Sequence, residues 1–217
     1  MENLSTVSVR DSAPELARGA AVGLSMPSQT LVALVSRHVA QDSEYLTVGR
    51  TRIGRTDTFT TVEAIDILPV KVFEEYIANC DTTFKSEFGV TMRVAKLTMT
   101  NDIQDLVGFP VHIWSDRSVP GLGILVEHEL IHRNGIRIII RDRDEAAPFL
   151  HEGDSGAMVC YSDPRRGNTV FAVAMIVGEM TEGNENTREY TAQILDDALQ
   201  KLGVMNGCRY LFIEEGS

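Results

Sequence analysis

The chain has 217 residues, of which 43% are hydrophobic and 24% are charged, and its formal net charge is −11 at pH 7. This acidity argues against general nucleic-acid binding, which requires clustered Lys and Arg. The sequence has no run of about 18 or more apolar residues, so no membrane span is expected. The 3 cysteines are widely spaced and no apolar signal segment precedes them, which predicts free thiols and an intracellular, cytoplasmic location.

The hydrophobic pattern predicts an all-β chain that forms one structural domain. Several strands are predicted within 19–48. Further strands are predicted, in chain order, at 62–72, 90–98, 107–113, 121–132, 136–141, 157–160, 170–178 and 190–195. A mixed segment at 73–89 predicts a short helical link between two halves of the chain. Asn134-Gly135 predicts a hairpin, because both residue types tolerate positive φ.

The two ends of the chain are predicted to differ in structure. Residues 1–18 are polar and are predicted to form a flexible leader. Helix formers at 196–202 predict a short closing helix that stops at Gly203. The remaining residues, 204–217, are predicted to be a C-terminal tail without an assigned element.

The most informative motif is Gly153-Asp154-Ser155-Gly156, which lies between an acidic loop and an apolar strand. The flanking glycines leave the serine accessible, and the N–H groups of Gly153 and Ser155 can point to one spot, where an oxyanion forms during acyl transfer. An ordinary polar turn has the same composition. A serine hydroxyl is a poor nucleophile without an oriented base, so the hypothesis requires a histidine and an acid elsewhere.

Suitable partners occur upstream. His38 ends an apolar run, and Asp66 lies inside another apolar run. An unpaired carboxylate in apolar surroundings is costly, and an imidazole is a suitable partner for it. Asp57 is the competing acid, but its polar neighbours indicate a solvated position. The candidate catalytic residues are therefore His38, Asp66 and Ser155.

In this order, the motifs resemble those of the chymotrypsin-like (trypsin-fold) serine proteases, in particular the disulfide-free intracellular and viral kind that includes the high-temperature-requirement proteases. The matching segments are 19–24 with 31–38, Ala64-Ile-Asp-Ile-Leu68, His151-Glu-Gly-Asp-Ser-Gly156, and 170–178. The resemblance implies two six-stranded antiparallel β-barrels with a short C-terminal helix. The protease domain would span 19–203, with barrels at about 19–80 and 88–195.

The resemblance also implies functional roles. His38, Asp66 and Ser155 would form a catalytic triad, with the oxyanion bound by the N–H groups of Gly153 and Ser155. Phe149, six residues before the serine, and Leu150 would help to form the primary substrate pocket. Residues of the following strand would line the rest of it: Val177, Gly178 and Glu179. An apolar pocket would favour apolar or small side chains, whereas Glu152 and Glu179 would attract basic ones.

The sequence is compatible with two other functions. Arg37 replaces the small residue that usually precedes the histidine, which is compatible with a catalytically silent module that binds peptides or partners. His128, Glu129 and His132 match the His-Glu-x-x-His pattern of zinc proteases, but that chemistry requires a helix and the surroundings predict a hairpin. We therefore expect a serine endopeptidase with no metal or cofactor. It would act on protein or peptide substrates and be regulated by a partner or an adjoining domain.

Overall fold

A computed structural model describes residues 8–9, 21–24, 30–40, 43–81, 84–92, 94–115, 118–131, 135–163, 165, 169–180 and 187–212. The strands within these residues are β1 Ser8–Val9, β2 Ala21–Leu24, β3 Thr30–Ser36, β4 Tyr45–Val48, β5 Thr51–Arg55, β6 Ile67–Val72, β7 Cys80–Asp81, β8 Phe84–Lys85, β9 Thr91–Met92, β10 Val94–Leu97, β11 Pro110–Ile113, β12 Gly121–Ile131, β13 Gly135–Asp142, β14 Met158–Ser162, β15 Thr169–Glu179, β16 Glu189–Ile194 and β17 Tyr210–Phe212. The helices are α1 Arg37–Ala40, α2 Glu74–Ile77, α3 Leu195–Asn206 and a 3-10 helix at Thr100–Leu106.

The C-terminal half forms a closed six-stranded barrel. Its strands follow the order β15, β14, β11, β12, β13 and β16, and β16 pairs again with β15. Only the second half of β15 contacts β16, because the first half pairs in parallel with β10. The alternating isoleucines of β13 place Ile138 and Ile140 in the barrel interior, where both are fully buried. Closure of the barrel leaves these strands without an unpaired edge beside the core.

The N-terminal half is a six-stranded sheet in the order β17, β2, β3, β6, β5 and β4. Its hydrophobic core is formed by alternating apolar residues of β3 and β6, such as Ala33, Val35, Leu68 and Val70. Within the described residues, β4 and β17 form the two ends of this sheet and do not pair with each other. One edge strand, β17, comes from the segment predicted to be a tail.

A hydrophobic cluster joins the two halves. The N-terminal sheet contributes Val32, Leu34 and Ile67, the barrel contributes Met158 and Met175, and α3 contributes Leu195, Ala198, Leu199 and Leu202. All of these side chains are buried, so the helix covers an interface that is as apolar as a protein core. Helix α3 therefore fastens the barrel to the sheet.

The structure confirms the all-β class and the short C-terminal helix, and it corrects the predicted helix end. The helix continues through Gly203 to Asn206 and ends at Gly207, which is left-handed with φ 61°. Gly203 is buried inside the helix, where a Cβ would lie 2.7 Å from the Cys208 carbonyl oxygen. This glycine is therefore required for close packing and does not act as a C-cap.

The hairpin of β8 and β9 begins within the predicted link at 73–89 and docks on the barrel. His112 Nε2 lies 2.9 Å from the Lys85 carbonyl oxygen, and Trp114 Nε1 donates to the Ser86 carbonyl at 2.9 Å. His112 is buried, and this burial lowers its pKa, so the folded protein holds a neutral imidazole whose Nε2–H donates to Lys85. None of the helices in the described segments has the length and apolar composition needed to span a bilayer.

Candidate active site

Two paired strands bring His38 and Asp66 together. Ser36 at the end of β3 is paired with Ile67 at the start of β6, so the residues that follow Ser36 and precede Ile67 are neighbours. A backbone hydrogen bond from Arg37 N–H to the Asp66 carbonyl, at 3.0 Å, extends the pairing by one step. His38 lies in the single-turn helix α1 that follows, with its ring accessible to solvent.

Asp66 holds the His38 imidazole through two contacts. His38 Nδ1 lies 2.6 Å from Asp66 Oδ2, and the His38 backbone N–H donates to Asp66 Oδ1 at 2.9 Å. Asp66 is buried, and an ionised carboxylate only accepts hydrogen bonds, so the imidazole proton lies on Nδ1. This tautomer leaves Nε2 as an acceptor.

Ser155 faces that acceptor. Its Oγ lies 3.2 Å from His38 Nε2 and 3.1 Å from the Val177 carbonyl oxygen, so the hydroxyl proton has two acceptors within reach. The second acceptor is positioned by a bulge in β15, where the register with β16 shifts between Ile176 and Gly178. Bulges of this kind redirect groups beside active sites. The three predicted catalytic residues therefore form one continuous chain of contacts.

The loop that carries Ser155 is fixed by Asp154 and by two glycines. Asp154 is buried, and its carboxylate accepts a hydrogen bond from His151 N–H at 2.9 Å. Gly153 and Gly156 have φ values of 96° and 86°, a region in which residues with a Cβ are strained. The oxyanion-binding role of the Gly153 and Ser155 N–H groups stays a prediction.

Two residues that sequence reasoning missed support Asp66. Ser36 Oγ donates to Asp66 Oδ2 at 3.0 Å, and the Gln193 side-chain carbonyl accepts from Asp66 N–H at 2.7 Å. Gln193 is fully buried and belongs to the barrel, so this contact crosses between the two halves. A polar residue at the end of the apolar run 31–35 is a signal for Ser36, whereas nothing in the sequence links Gln193 to Asp66.

The predicted pocket residues differ in their exposure. Phe149 is fully buried in the barrel core, where its ring centroid lies 5.6 Å from that of Tyr190. Its side chain can therefore support the floor of a pocket from the core side, but it is not exposed in the pocket. Leu150, Val177 and Gly178 are half-buried, and Glu179 is exposed. Beside Gly178 there is open space, since a Cβ there would meet no atom within 4 Å.

Asp142 accepts hydrogen bonds from several residues next to the predicted pocket. Its Oδ1 accepts from Phe149 N–H at 2.6 Å and from the Tyr190 hydroxyl at 2.9 Å, while Oδ2 accepts from Arg188 Nε at 2.6 Å. Burial of Tyr190 and its hydrogen bond to Asp142 raise the pKa of the phenol. The carboxylate thus links β13, the segment before the nucleophile loop and β16.

The side chains of Arg37 and Asp57 make their hydrogen bonds away from the three catalytic candidates. Arg37 donates to the Glu63 carbonyl at 2.7 Å and lines a separate cavity of about 400 Å³ together with Asp57 and Phe59. Arg55 donates to Asp57 Oδ1 at 2.8 Å, and this hydrogen bond lowers the pKa of the Asp57 carboxyl. Asp66, and not Asp57, is the acid beside His38.

The zinc motif does not lie on a helix in its described part. His128 and Glu129 belong to strand β12, where they pair with Ile138 and Arg137 of β13. His132, like Asn134 of the predicted hairpin, lies outside the described residues. Among the residues that the structure describes, no group of three His, Cys, Asp or Glu side chains is placed to hold a metal ion. The predicted hairpin setting is confirmed for the strands on either side of the turn.

Comparisons with known proteins agree with this architecture. No protein-family profile and no curated protein matches the sequence. Among solved structures, the chain is similar to a glutamic acid-specific serine protease that uses a histidine triad in substrate binding, with a TM-score of 0.59 and 13% identity over 91% of this chain and 94% of that one. This chain has the trypsin-like fold.

Two further trypsin-like structures show the same similarity. The Nocardiopsis protease NAPase has a TM-score of 0.56 and 15% identity, covering 89% of this chain and 90% of its own. The chymotrypsin of Cellulomonas bogoriensis has a TM-score of 0.54 and 17% identity, covering 90% of this chain and 88% of its own. At such low identity the likeness establishes the fold, while the activity has to be argued from the site.

Proposed function

We propose that this chain is a serine endopeptidase that cleaves protein or peptide substrates through His38, Asp66 and Ser155. The observation that carries the proposal is the continuous chain of contacts from Ser155 Oγ to His38 Nε2 and from His38 Nδ1 to Asp66. A serine hydroxyl, a base and an acid that orients the base are the three parts that nucleophilic acyl transfer needs.

The proposed reaction proceeds in two halves. Ser155 Oγ attacks the carbonyl carbon of the scissile peptide bond while its proton moves to His38 Nε2. The resulting imidazolium is stabilised by Asp66 and donates the Nε2 proton to the leaving amine as the C–N bond breaks. Water then attacks the acyl-enzyme, gives a proton to Nε2 and releases the new carboxylic acid, while Ser155 regains its proton.

The oxyanion of each tetrahedral intermediate would be bound by the N–H groups of Gly153 and Ser155. The left-handed conformation of Gly153 supports this assignment, because a tight turn at this glycine is needed to direct the N–H groups of residues 153 and 155 to one side. Anchoring of the loop by Asp154 means that little reorganisation accompanies the reaction.

We propose that the primary pocket accepts apolar or small side chains. Buried Phe149 limits the depth of the pocket, and half-buried Leu150 and Val177 offer apolar walls. Exposed Glu152 and Glu179 oppose an acidic substrate side chain, so the glutamic acid specificity of the similar structure is not carried over to this chain. Open space beside Gly178 suits an approaching peptide backbone.

A latent state is the second candidate, and it is supported by the contact from Ser155 Oγ to the Val177 carbonyl. In that state the hydroxyl donates to Val177 and not to His38, so the nucleophile is not activated. A regulatory partner or an adjoining domain that moves β15 would shift the proton to His38. In a module that only binds peptides, the Ser155 hydroxyl would always donate to Val177 and never to His38.

We further propose that the protein works in a reducing, intracellular compartment. Cys80, Cys160 and Cys208 are free thiols, and Cys80 and Cys208 are half-buried. Burial raises the pKa of the Cys160 thiol, which keeps it protonated and unreactive.

The experiment that tests the proposed activity is covalent labelling by a fluorophosphonate probe. We expect the wild type to be labelled, and Ser155→Ala and His38→Ala to lose the label while they remain folded. A zinc chelator should have no effect on labelling. A folded wild type that resists the probe would contradict an active serine nucleophile and leave the latent or peptide-binding alternative.

A further inference from the structure

Ser36 is a buried hydroxyl residue that the proposed reaction does not use. It is the last residue of β3 and only 3% of its surface is exposed. Its Oγ lies 3.0 Å from Asp66 Oδ2 and 2.8 Å from His38 Nδ1. Since His38 Nδ1 and Asp66 Oδ2 are 2.6 Å apart, the three polar atoms form a closed triangle.

The hydrogen atoms of this triangle follow from the chemistry of its groups. The Asp66 carboxylate has no proton to give, so the Ser36 hydroxyl and His38 Nδ1–H both donate to Oδ2. The other carboxylate oxygen, Oδ1, accepts the His38 backbone N–H at 2.9 Å. Donors at both oxygens fix the plane of the carboxylate. Among the described side chains, Ser36 is the one that donates to Oδ2 in addition to His38.

Ser36 also contacts the loop that carries the nucleophile. A Cβ placed on Gly156 would lie 3.2 Å from Ser36 N and 3.4 Å from Ser36 Cβ, so the backbone of this loop packs directly on Ser36. One small side chain therefore lies against the acid, the base and the nucleophile loop. A larger residue at position 36 would displace at least one of them.

We propose that Ser36 is a positioning residue that orients the Asp66 carboxylate and, through it, the His38 ring toward Ser155. This inference rests on the proposed serine protease activity. Ser36 does not contact the substrate or exchange protons with it. Its contribution is to restrict the carboxylate to the orientation in which Nε2 of the imidazole faces the serine hydroxyl.

The test compares Ser36→Ala with Ser86→Ala in hydrolysis of a p-nitrophenyl ester. Ser86 is a matched control, because it is also buried and its Oγ accepts a hydrogen bond, from Val90 N–H at 3.3 Å. We expect Ser36→Ala to lower kcat about tenfold, as for one lost hydrogen bond to a charged group, with KM changed less than about twofold. Ser86→Ala should leave kcat unchanged.

A second readout separates this inference from the proposed activity. The low-field proton resonance of His38 Nδ1–H, followed by NMR, should shift in Ser36→Ala and stay in place in Ser86→Ala, whether or not the ester is hydrolysed. If the wild type fails to hydrolyse the ester but the resonance shifts, the proposed activity fails and the positioning role of Ser36 stands.

An unshifted resonance together with an unchanged kcat in folded Ser36→Ala would overturn the inference. An equal loss of kcat in both alanine variants would also overturn it, because the effect would then be one of general stability. If Ser36→Ala does not fold, Ser36→Cys keeps a side chain of similar shape with a weak donor and is expected to show the same loss of kcat and the same resonance shift.

Discussion

At the scale of single residues, the site depends on a buried acid whose carboxylate oxygens and backbone N–H all form hydrogen bonds. Asp66 accepts hydrogen bonds at both carboxylate oxygens and donates its own N–H to Gln193. In a medium of low dielectric constant such contacts are stronger than in water, and an unpaired member is more costly. The orientation of His38 is therefore set by a network of contacts and not by one ion pair.

Replacing Asp66 with asparagine tests the role of the acid. The amide of Asp66→Asn can donate to the imidazole, which favours the tautomer with the proton on Nε2, so His38 no longer accepts the Ser155 proton. We expect kcat to fall by roughly 10⁴-fold, the effect that such a change of tautomer has in a Ser-His-Asp triad. Steady-state hydrolysis measures this loss.

Asp57→Asn is the matched control for that substitution. Asp57 is exposed and paired with Arg55, so its replacement should leave kcat within about twofold of the wild type. A loss of activity in Asp57→Asn comparable to that in Asp66→Asn would show that the acid had been assigned wrongly.

Gly156 is expected to be more sensitive to substitution than its backbone angle alone predicts. Gly156→Ala places a Cβ 3.2 Å from Ser36 N at a φ of 86°, whereas Gly49→Ala has a φ of 60° and open space. Both variants should lose about 1–3 kcal/mol of unfolding free energy from backbone strain. Only Gly156→Ala should also slow fluorophosphonate labelling, and equal labelling rates in the two variants would contradict the packing of Ser36 on this loop.

At the scale of elements, the sequence predicts the strands in which apolar and polar residues alternate, together with the motifs at the ends of those strands. The pairing of His38 with Asp66 could be anticipated because each residue terminates or interrupts an apolar run. Gln193 could not be anticipated, since it is brought to Asp66 by the contact between two halves of the fold. The bulge in β15 beside Ser155 likewise has no local signal, because it arises from the pairing of two strands.

The end of α3 shows why a local rule failed. Glycine commonly ends helices, which is why Gly203 was predicted to do so. In the structure the same absence of a side chain allows the Cys208 carbonyl to approach the helix, and the helix ends at Gly207 instead. Tertiary packing at Gly203 has overridden the local preference.

Gly203→Ala distinguishes these two explanations. Helix propensity alone predicts that alanine would stabilise the helix by about 1 kcal/mol. The Cβ would lie 2.7 Å from a backbone oxygen, so we expect a lower Tm instead. Val204→Ala, at an exposed position of the same helix, should change Tm little, and an increase in Tm for Gly203→Ala would refute the packing argument.

At the scale of the whole molecule, His112 couples the docking of the β8–β9 hairpin to pH. Because burial lowers its pKa in the folded state, the unfolded chain binds more protons below the ordinary histidine pKa of about 6.5. The stabilisation from neutral His112 is thus complete above about pH 6.5 and is lost as the pH falls toward the folded-state pKa.

The pH dependence can be isolated by comparing variants. Relative to the non-titrating His112→Gln, the wild type should lose up to about 1.4 kcal/mol of unfolding free energy per pH unit below pH 6.5. Urea unfolding at pH 7.5 and 5.5 measures the difference. His151→Gln, at an exposed histidine, should follow the wild type, and parallel pH curves for the wild type and His112→Gln would contradict the prediction.

Strand β17 has a consequence for the order in which the protein can fold during synthesis. Its partner β2 lies near the start of the chain, and almost every other element is made between them. The N-terminal sheet therefore lacks an edge strand until Phe212 has left the ribosome, even though β3 and β6 are available much earlier. The sheet that holds His38 and Asp66 is consequently completed only after every strand of the barrel that holds Ser155 has been synthesised.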